Sequence, residues 1–165
     1  MAIDAKALVN LWDRLHGLPG GAWLFSRIVG FAIPYTGSMR AQVRVLRSGY
    51  AQIVLRDRRR VRNHLACVHA IALANLGELT GGLAMTAAAP EGVRSILTRL
   101  EIDFLKKARG VVIAECSCEI PAVTEPSDHI VITSLRDESG AEVARTKATW
   151  RLSPVPRAGP GVQGS

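Results

Sequence analysis

The sequence predicts an α+β domain in which a mostly antiparallel sheet of six strands wraps one long central helix. An apolar segment at about residues 68–79 carries almost no charge, which indicates a helix that is buried on most sides. Strand-like patterns bounded by turn residues occur six times, at 39–47, 50–57, 94–108, 111–120, 129–137 and 141–152. The chain has 165 residues, of which 48% are hydrophobic and 21% charged, so we expect one domain with a packed core.

The beginning of the chain is predicted to be helical. In residues 4–16 Asp4 can cap a helix, and apolar side chains recur at helical spacing: Leu8, Leu11, Trp12 and Leu15. A second helix is expected at 22–32 and should stop at Pro34. We therefore divide the chain into an N-terminal helical segment (1–36), a main domain (37–152) and a tail (153–165). The tail is rich in Pro, Gly and Ser, which predicts disorder.

Turn signals order the elements of the main domain. Ser48–Gly49 joins the first two strands into a hairpin, and the basic loop 57–63 leads to the central helix. Gly81–Gly82 is predicted to end that helix. Arg109–Gly110 and the segment 138–140 then separate the later strands.

The formal net charge of +7 predicts a surface that attracts polyanions such as nucleic acids, acidic headgroups or phosphorylated small molecules. Nucleic acid is an unlikely partner, because only 5% of the residues are aromatic and no zinc-finger spacing or RNA-binding aromatic motif is present. No apolar run is long enough for a membrane span, since Arg27 and Pro34 interrupt the nearest candidate. The N-terminus does not resemble a signal peptide, so a cytoplasmic location is expected.

Three cysteines, Cys67, Cys116 and Cys118, are expected to be free thiols in a reducing compartment. Cys116 and Cys118 are two positions apart in a predicted strand, so they should share a face. A structural zinc site needs four ligands, and no second Cys/His pair has suitable spacing. We expect no metal and no redox cofactor.

Glu78 lies on the apolar central helix, where a carboxylate must be paired, hydrogen-bonded or neutralised. His69 is near the helix start, and Asn63 and His64 precede it. Ordinary alternatives exist: Glu78 can reach solvent or an arginine, and the others can be capping or packing residues. Nine positions separate His69 from Glu78, and at about 100° per residue this places them about 180° apart on the helix. Only a pair of chains could bring these two side chains into one site.

The spacing of Asn63, His69 and Glu78 resembles the central motif of the hotdog-fold acyl-CoA thioesterases, in particular the phenylacetate-type and 4-hydroxybenzoyl-CoA-type branches. LEIDFLKKARGVVIAECSCE resembles the third and fourth strands of that superfamily, and LRDESGAEVARTKATW resembles its last hairpin. The resemblance covers about residues 39–152. The chain is also similar to a less characterised branch of the superfamily.

The resemblance implies a hotdog fold and a role for each motif residue. Glu78 would attack the thioester carbonyl or activate water, and Asn63 would hydrogen-bond the carbonyl oxygen. The N–H of Ala70 would stabilise the oxyanion at the helix N-terminus, and His69 would orient the substrate or that terminus. Such sites form between subunits of a dimer or a dimer of dimers. Two departures stand out. Ala70–Ile71 follows the histidine where the superfamily usually has two glycines, and Gly82 lies four residues after Glu78, where many relatives have Ser or Thr to hydrogen-bond the carboxylate.

The basic residues suit the phosphates of an acyl-CoA substrate. Lys106, Lys107 and Arg109 are predicted at the end of the third strand, and Arg60 belongs to a second cluster, although each can also be a solvated surface residue. The expected function is acyl-CoA thioester hydrolysis. A non-catalytic acyl-CoA or fatty-acid binding module stays open as an alternative, as does, less favoured, a basic nucleic-acid-binding protein.

Overall fold

The computed structural model describes residues 5–155. Three helices precede the first strand, and the remaining elements are six strands, one long helix and a short 3₁₀ turn. They are α1 (Ala5–Leu15), α2 (Gly21–Ala32), α3 (Pro34–Met39), β1 (Gln42–Arg47), β2 (Tyr50–Arg56), the 3₁₀ turn Arg59–Val61, α4 (Ala70–Ala88), β3 (Val93–Phe104), β4 (Val111–Ser117), β5 (Ser127–Asp137) and β6 (Glu142–Pro154).

The six strands form one sheet in the order β1-β2-β4-β5-β6-β3, and every neighbouring pair is antiparallel. This confirms the predicted six-stranded α+β architecture. Helix α4 packs against the sheet and supplies Leu76, Ala84 and Met85 to the core. The alternation predicted for the strands places their inward residues in the same core, including Ile53, Leu55, Val112, Ala114, Leu135 and Leu152. Strands β1 and β3 are the two edges.

The prediction that Gly81–Gly82 ends the central helix is wrong, because α4 continues to Ala88, shortly before Pro90. The glycines serve close packing instead of termination. A Cβ on Gly77 would overlap the side chain of Thr146, and a Cβ on Gly81 would lie 3.1 Å from Thr133 Oγ1. Small residues at these positions let the helix approach the sheet closely.

Other boundaries differ by a few residues. Pro34 stops α2 as predicted, but it also begins α3, because proline is well suited to the first position of a helix. Strand β3 ends at Phe104, four residues before the predicted end, and β6 runs two residues past 152 into the predicted tail. The proposed cap Asp4 and the rest of the tail, residues 156–165, lie outside the described residues.

Helices α1 and α2 pack on the main domain instead of extending from it. The rings of Trp12 in α1 and Phe25 in α2 meet edge to face with centroids 5.1 Å apart, and both side chains are buried. Val43 N–H donates a hydrogen bond to Ser26 Oγ at 2.9 Å, which joins α2 to β1. Within residues 5–155 no helix has both the length and the apolar character needed to cross a bilayer.

The helix glycines give a matched pair of substitutions. Gly77→Ala should lower the free energy of unfolding by about 1–3 kcal/mol, because the new methyl group overpacks against Thr146. Gly82→Ala should raise it by up to about 1 kcal/mol, because its Cβ would meet Trp150 at an ordinary contact distance of 3.5 Å and alanine favours helix. Urea unfolding of both variants measures the two changes in the free energy of unfolding. Changes of the same sign and size would contradict this packing.

Candidate active site

The loop before α4 is held in shape by the side chain of Asn63. Its Oδ1 accepts hydrogen bonds from the backbone N–H groups of Leu65 (2.9 Å) and Cys67 (3.2 Å). The backbone N–H of Asn63 also donates to the Cys67 carbonyl at 2.9 Å. Because the oxygen is used inside the loop, the amide NH₂ of Asn63 is the group left to donate to a ligand.

His69 is the N-cap of α4. Its Nδ1 accepts a hydrogen bond from Ile71 N–H at 3.1 Å, so in this geometry the proton of the neutral ring is on Nε2. Ala70 begins the helix, and its N–H has no acceptor among residues 5–155. The first turn of α4 therefore presents a free backbone donor at the positive end of the helix dipole.

A second loop, residues 105–110, lies against the Asn63 loop. Val68 N–H donates to the Ala108 carbonyl at 2.9 Å, and Asp57 binds both Gly110 N–H (3.2 Å) and Arg62 Nε (2.6 Å). The hydrogen bond from Arg62 lowers the pKa of Asp57. Asp57, which the sequence did not single out, thus ties the basic loop 57–63 to the loop after β3.

The predicted phosphate-binding residues lie in these loops. Lys106, Lys107 and Arg109 follow β3 instead of ending it, and all three are exposed, as is Arg60. Lys106 Nζ is 2.8 Å from Asp137 Oδ2, and its hydrogen bond lowers the pKa of Asp137. Within the described part of the chain Lys107, Arg109 and Arg60 form no ion pair, so their charges are available to an anionic ligand.

Glu78 lies elsewhere on α4, facing a pocket of about 330 Å³ between α4, the N-terminal helices and β6. Apart from Glu78 and the hydroxyl of Thr86, the pocket is lined by apolar side chains and a glycine: Leu8, Val29, Ala32, Ile33, Leu79, Gly82, Leu83 and Trp150. No hydrogen-bond or ion-pair partner of Glu78 occurs in residues 5–155. Desolvation by burial raises the pKa of Glu78 above its ordinary value of 4.5.

The single chain brings together Asn63, His69 and Ala70 but does not bring them to Glu78. None of the three lines the Glu78 pocket. Nine residues separate His69 from Glu78, which corresponds to ~13.5 Å along the helix axis. A site that used both groups would therefore need a second chain.

Sequence reasoning missed the walls of the Glu78 pocket. Trp150, whose side chain is only 8% exposed, occupies an inward position of β6, so its alternation with exposed Lys147 and Arg151 could have placed it on the inner face. Leu8 was recognised as part of an apolar stripe, but its packing partner is set by tertiary contacts that no local pattern reveals.

A larger cavity of about 540 Å³ lies between α2, α3 and β1 and shares Val29 and Leu79 with the Glu78 pocket. Three arginines line it, Arg27, Arg40 and Arg58, and none of the predicted site residues does. Its lining holds no carboxylate or imidazole that could act as a base.

The thiols form no metal centre. In residues 5–155 no group of three or more Cys, His, Asp or Glu side chains could hold a metal ion. Cys67, Cys116 and Cys118 are free cysteines, and the hydrogen bond with Cys118 raises the pKa of the Cys116 thiol. Cys116 ends up buried opposite Thr133 on the inner face of β4.

The family model that matches this chain is described as Domain of unknown function (DUF4442), and the match covers residues 21–152. A search of curated proteins found no match. Among solved structures, the structural-genomics protein APC5556 has a TM-score of 0.79 at 29% identity, with 90% of this chain and 99% of that chain covered.

Two further structures carry names that concern activity. PA5026 of Pseudomonas aeruginosa, called a protein of unknown function and a probable thioesterase, has a TM-score of 0.71 at 21% identity, covering 83% of this chain and 97% of that one. A phenylacetic acid degradation-related protein of Ralstonia eutropha, whose name also includes thioesterase, has a TM-score of 0.61 at 18% identity, with 72% and 89% covered. These similarities confirm the predicted hotdog fold.

The raised pKa of Glu78 has a measurable consequence for stability. A carboxyl whose folded pKa lies above its unfolded value contributes fully to stability only below the unfolded pKa, and the contribution is lost as pH rises through the folded pKa. Glu78→Gln cannot ionise, so its melting temperature minus that of the wild type should increase from pH 4 to pH 8. Other shifted groups, such as Asp57, are common to both proteins and cancel in this difference.

Glu119→Gln, which replaces an exposed carboxylate, is the control. Its melting temperature minus that of the wild type should stay constant from pH 4 to pH 8. A Glu78→Gln difference that stays flat or decreases from pH 4 to pH 8 would mean that the Glu78 charge is compensated in the folded protein.

Proposed function

The chain belongs to the DUF4442 family, and we propose that it is an acyl-CoA thioesterase whose active site is shared between two subunits. The observation that carries the proposal is an unpaired carboxylate, Glu78, in an apolar pocket of a hotdog fold. Names of structural neighbours support thioester hydrolysis as the reaction class. A half-buried carboxylate with no structural partner is costly, which favours a chemical role for Glu78.

The proposed reaction begins at the thioester carbonyl. Desolvation makes Glu78 a stronger base, so it takes a proton from water while the water oxygen bonds to the acyl carbon. Alternatively, its carboxylate attacks directly and the resulting anhydride is hydrolysed. In both routes the C–S bond breaks, the electron pair leaves with sulfur, and a proton completes the coenzyme A thiol. The products are the free acid and coenzyme A.

The start of α4 supplies the oxyanion site in this mechanism. The free N–H of Ala70 and the amide NH₂ of Asn63 are suitable donors for the carbonyl oxygen as negative charge develops on it. His69 acts through its hydrogen bond with Ile71 N–H, which fixes the first turn and so orients the Ala70 donor. His69 is therefore a positioning residue.

The distance between the donors and Glu78 is the first argument for a second subunit. Support comes from β3, a 12-residue edge strand whose outer side has no neighbour within the described chain. Large apolar side chains on and just after this strand are exposed, as expected of a surface that pairs with another copy: Ile96, Leu100, Phe104 and Leu105. We propose a dimer, or a dimer of dimers, in which the Glu78 of each chain meets the helix start of its partner.

Coenzyme A would bind along the basic loops at that helix start. Lys107, Arg109 and Arg60 are exposed and have no ion-pair partner in residues 5–155, so they can contact phosphate groups without breaking an existing contact. Lys106 can contribute only by sharing its charge with Asp137.

A non-catalytic acyl-CoA binding protein is the second candidate, and Ile71 favours it. This side chain is 54% exposed beside the Ala70 donor, where the superfamily usually has glycine, and it narrows the approach to the helix. Binding without turnover would support this alternative.

Replacement of the carboxylate tests hydrolysis directly. Glu78→Gln should lower kcat for acyl-CoA by about 10² to 10⁴-fold, because the base or nucleophile is lost while the shape is kept. Asn63→Ala should lower kcat/KM about 10-fold or more through the lost carbonyl hydrogen bond. Thiol release measures turnover, and melting curves check the fold. Full turnover by Glu78→Gln would disprove the assigned base.

Mixing the two variants tests the shared site. If each site combines Glu78 of one chain with Asn63 of another, a mixed dimer of Glu78→Gln and Asn63→Ala contains one intact site and one doubly altered site. Refolding an equimolar mixture should restore about a quarter of the wild-type activity, since half of the dimers are mixed and each has one of two sites. If the activity of the mixture does not exceed the mean activity of the two separate variants, the Glu78 and Asn63 of each site belong to one chain.

The basic loop gives a separate prediction for binding. Lys107→Ala and Arg109→Ala should each raise KM for acyl-CoA several-fold and leave hydrolysis of a thioester without the nucleotide unchanged. Arg44→Ala, which removes the same charge from exposed β1 at the far edge of the sheet, is the matched control. An equal rise in KM for all three variants would indicate a general charge effect.

A further inference from the structure

Residues of α4 that face the Glu78 pocket form one continuous line. Glu78, Gly82 and Thr86 are spaced four residues apart, so they lie on one side of the helix and span ~12 Å along its axis. The pocket therefore extends from the carboxylate along two turns of α4 instead of ending beside it. A ligand whose reactive carbon is at Glu78 has room to continue toward Thr86.

Glycine at position 82 keeps this path open. A Cβ at Gly82 would lie 3.5 Å from the Trp150 ring and 3.9 Å from Glu78 Oε1. Any side chain there would occupy the space between the carboxylate and the indole. The absence of a side chain at this point leaves a passage bounded by an aromatic ring.

The N-terminal helices close the other side of the passage. Leu8 from α1, Val29 and Ala32 from α2, and Ile33 after it supply four of the ten lining residues, although they lie outside the 37–152 domain. Apart from Glu78, the lining carries no charge. Such a pocket accepts apolar groups and disfavours a ligand with a second carboxylate, which would be desolvated beside Glu78.

We propose that this pocket binds the acyl group, and that α1, α2, Gly82 and Thr86 select uncharged aliphatic or aryl acyl chains of medium size. The inference rests on the proposed thioesterase function and adds the substrate class. An apolar cavity of about 150 Å³ holds benzene. At the same filling, a pocket of 330 Å³ holds about 13 carbon atoms.

A chain-length series tests the proposal. For the wild type, kcat/KM should increase from butyryl- to octanoyl-CoA by about fourfold per added methylene, the effect of burying one CH₂ group. It should fall at least 10-fold from its maximum by palmitoyl-CoA, and a succinyl substrate should be poor. A flat series, or one that still increases at palmitoyl-CoA, would overturn the proposal.

Two substitutions at different depths sharpen the test. Thr86→Leu blocks the far end, so the ratio of kcat/KM for octanoyl-CoA to that for butyryl-CoA should fall about 10-fold or more. Gly82→Ala narrows the passage near the carboxylate, so it should already lower the hexanoyl-to-butyryl ratio, while its melting temperature increases. A substitution that only disturbed the structure would lower kcat/KM for all chain lengths alike, so it would leave the octanoyl-to-butyryl and hexanoyl-to-butyryl ratios unchanged.

Further variants guard against misfolding and nonspecific effects. Ala32→Leu places a leucine side chain at the pocket from α2 and should lower the octanoyl-to-butyryl ratio, as Thr86→Leu does. Asn10→Leu adds a leucine on an exposed position of α1 outside the pocket and should leave the ratio unchanged. An effect of Asn10→Leu equal to that of Ala32→Leu would overturn the assignment.

Calorimetric measurement of binding tests the acyl pocket separately from the proposed hydrolysis. Octanoyl-CoA should bind at least 10-fold more tightly than coenzyme A to Glu78→Gln, and Thr86→Leu in that background should remove the difference. Tight octanoyl-CoA binding to a wild type that hydrolyses nothing would disprove the thioesterase and retain the acyl pocket. Equal affinity for octanoyl-CoA and coenzyme A would disprove the pocket.

Discussion

The close packing of α4 on the sheet determines the rest of the site. Gly77 lies against Thr146, and Thr133 Oγ1–H donates a hydrogen bond to the Gly77 carbonyl at 3.1 Å. These contacts fix the rotation of the helix about its own axis. Because the next residue is about 100° further round, the same rotation turns Glu78 away from the contact with Thr146 and toward α1, α2 and Trp150. Changing Gly77 would therefore alter the direction of the carboxylate as well as stability.

The N-terminal helices cover part of the pocket in which Glu78 lies. Without Leu8, Val29 and Ile33 the carboxylate would face a more open surface and keep more of its hydration. Their packing, held by the Trp12–Phe25 contact and the Ser26–Val43 hydrogen bond, contributes to the burial that raises the pKa of Glu78. Residues of α1 and α2 thus share in the desolvation of a carboxylate on α4.

How much could be predicted from the sequence depends on the range of the interaction. The alternation of inward and outward residues in a strand is a local pattern, so it predicts all six strands. For most of them the predicted boundaries lie within a few residues of the observed ones. The end of α4 was misplaced because glycine at 81 and 82 has two uses, terminating a helix or permitting close packing, and only the position of Thr133 and Trp150 decides between them. The ion pair of Lys106 with Asp137 and the packing of Leu8 beside Glu78 join residues far apart in sequence, so no local pattern reports them.

In the proposed mechanism, the hydrogen-bond donors and the base require opposite surroundings. The donors at the start of α4 work best where a polar, charged ligand can arrive, and they lie among exposed basic loops. The base works best where water is restricted, and Glu78 lies in an apolar pocket ~13.5 Å further along the helix. A single helix cannot offer both environments at one point. Pairing the start of one α4 with the middle of another would place a phosphate-binding surface and an acyl pocket on opposite sides of one thioester, which is where an acyl-CoA changes from charged to apolar.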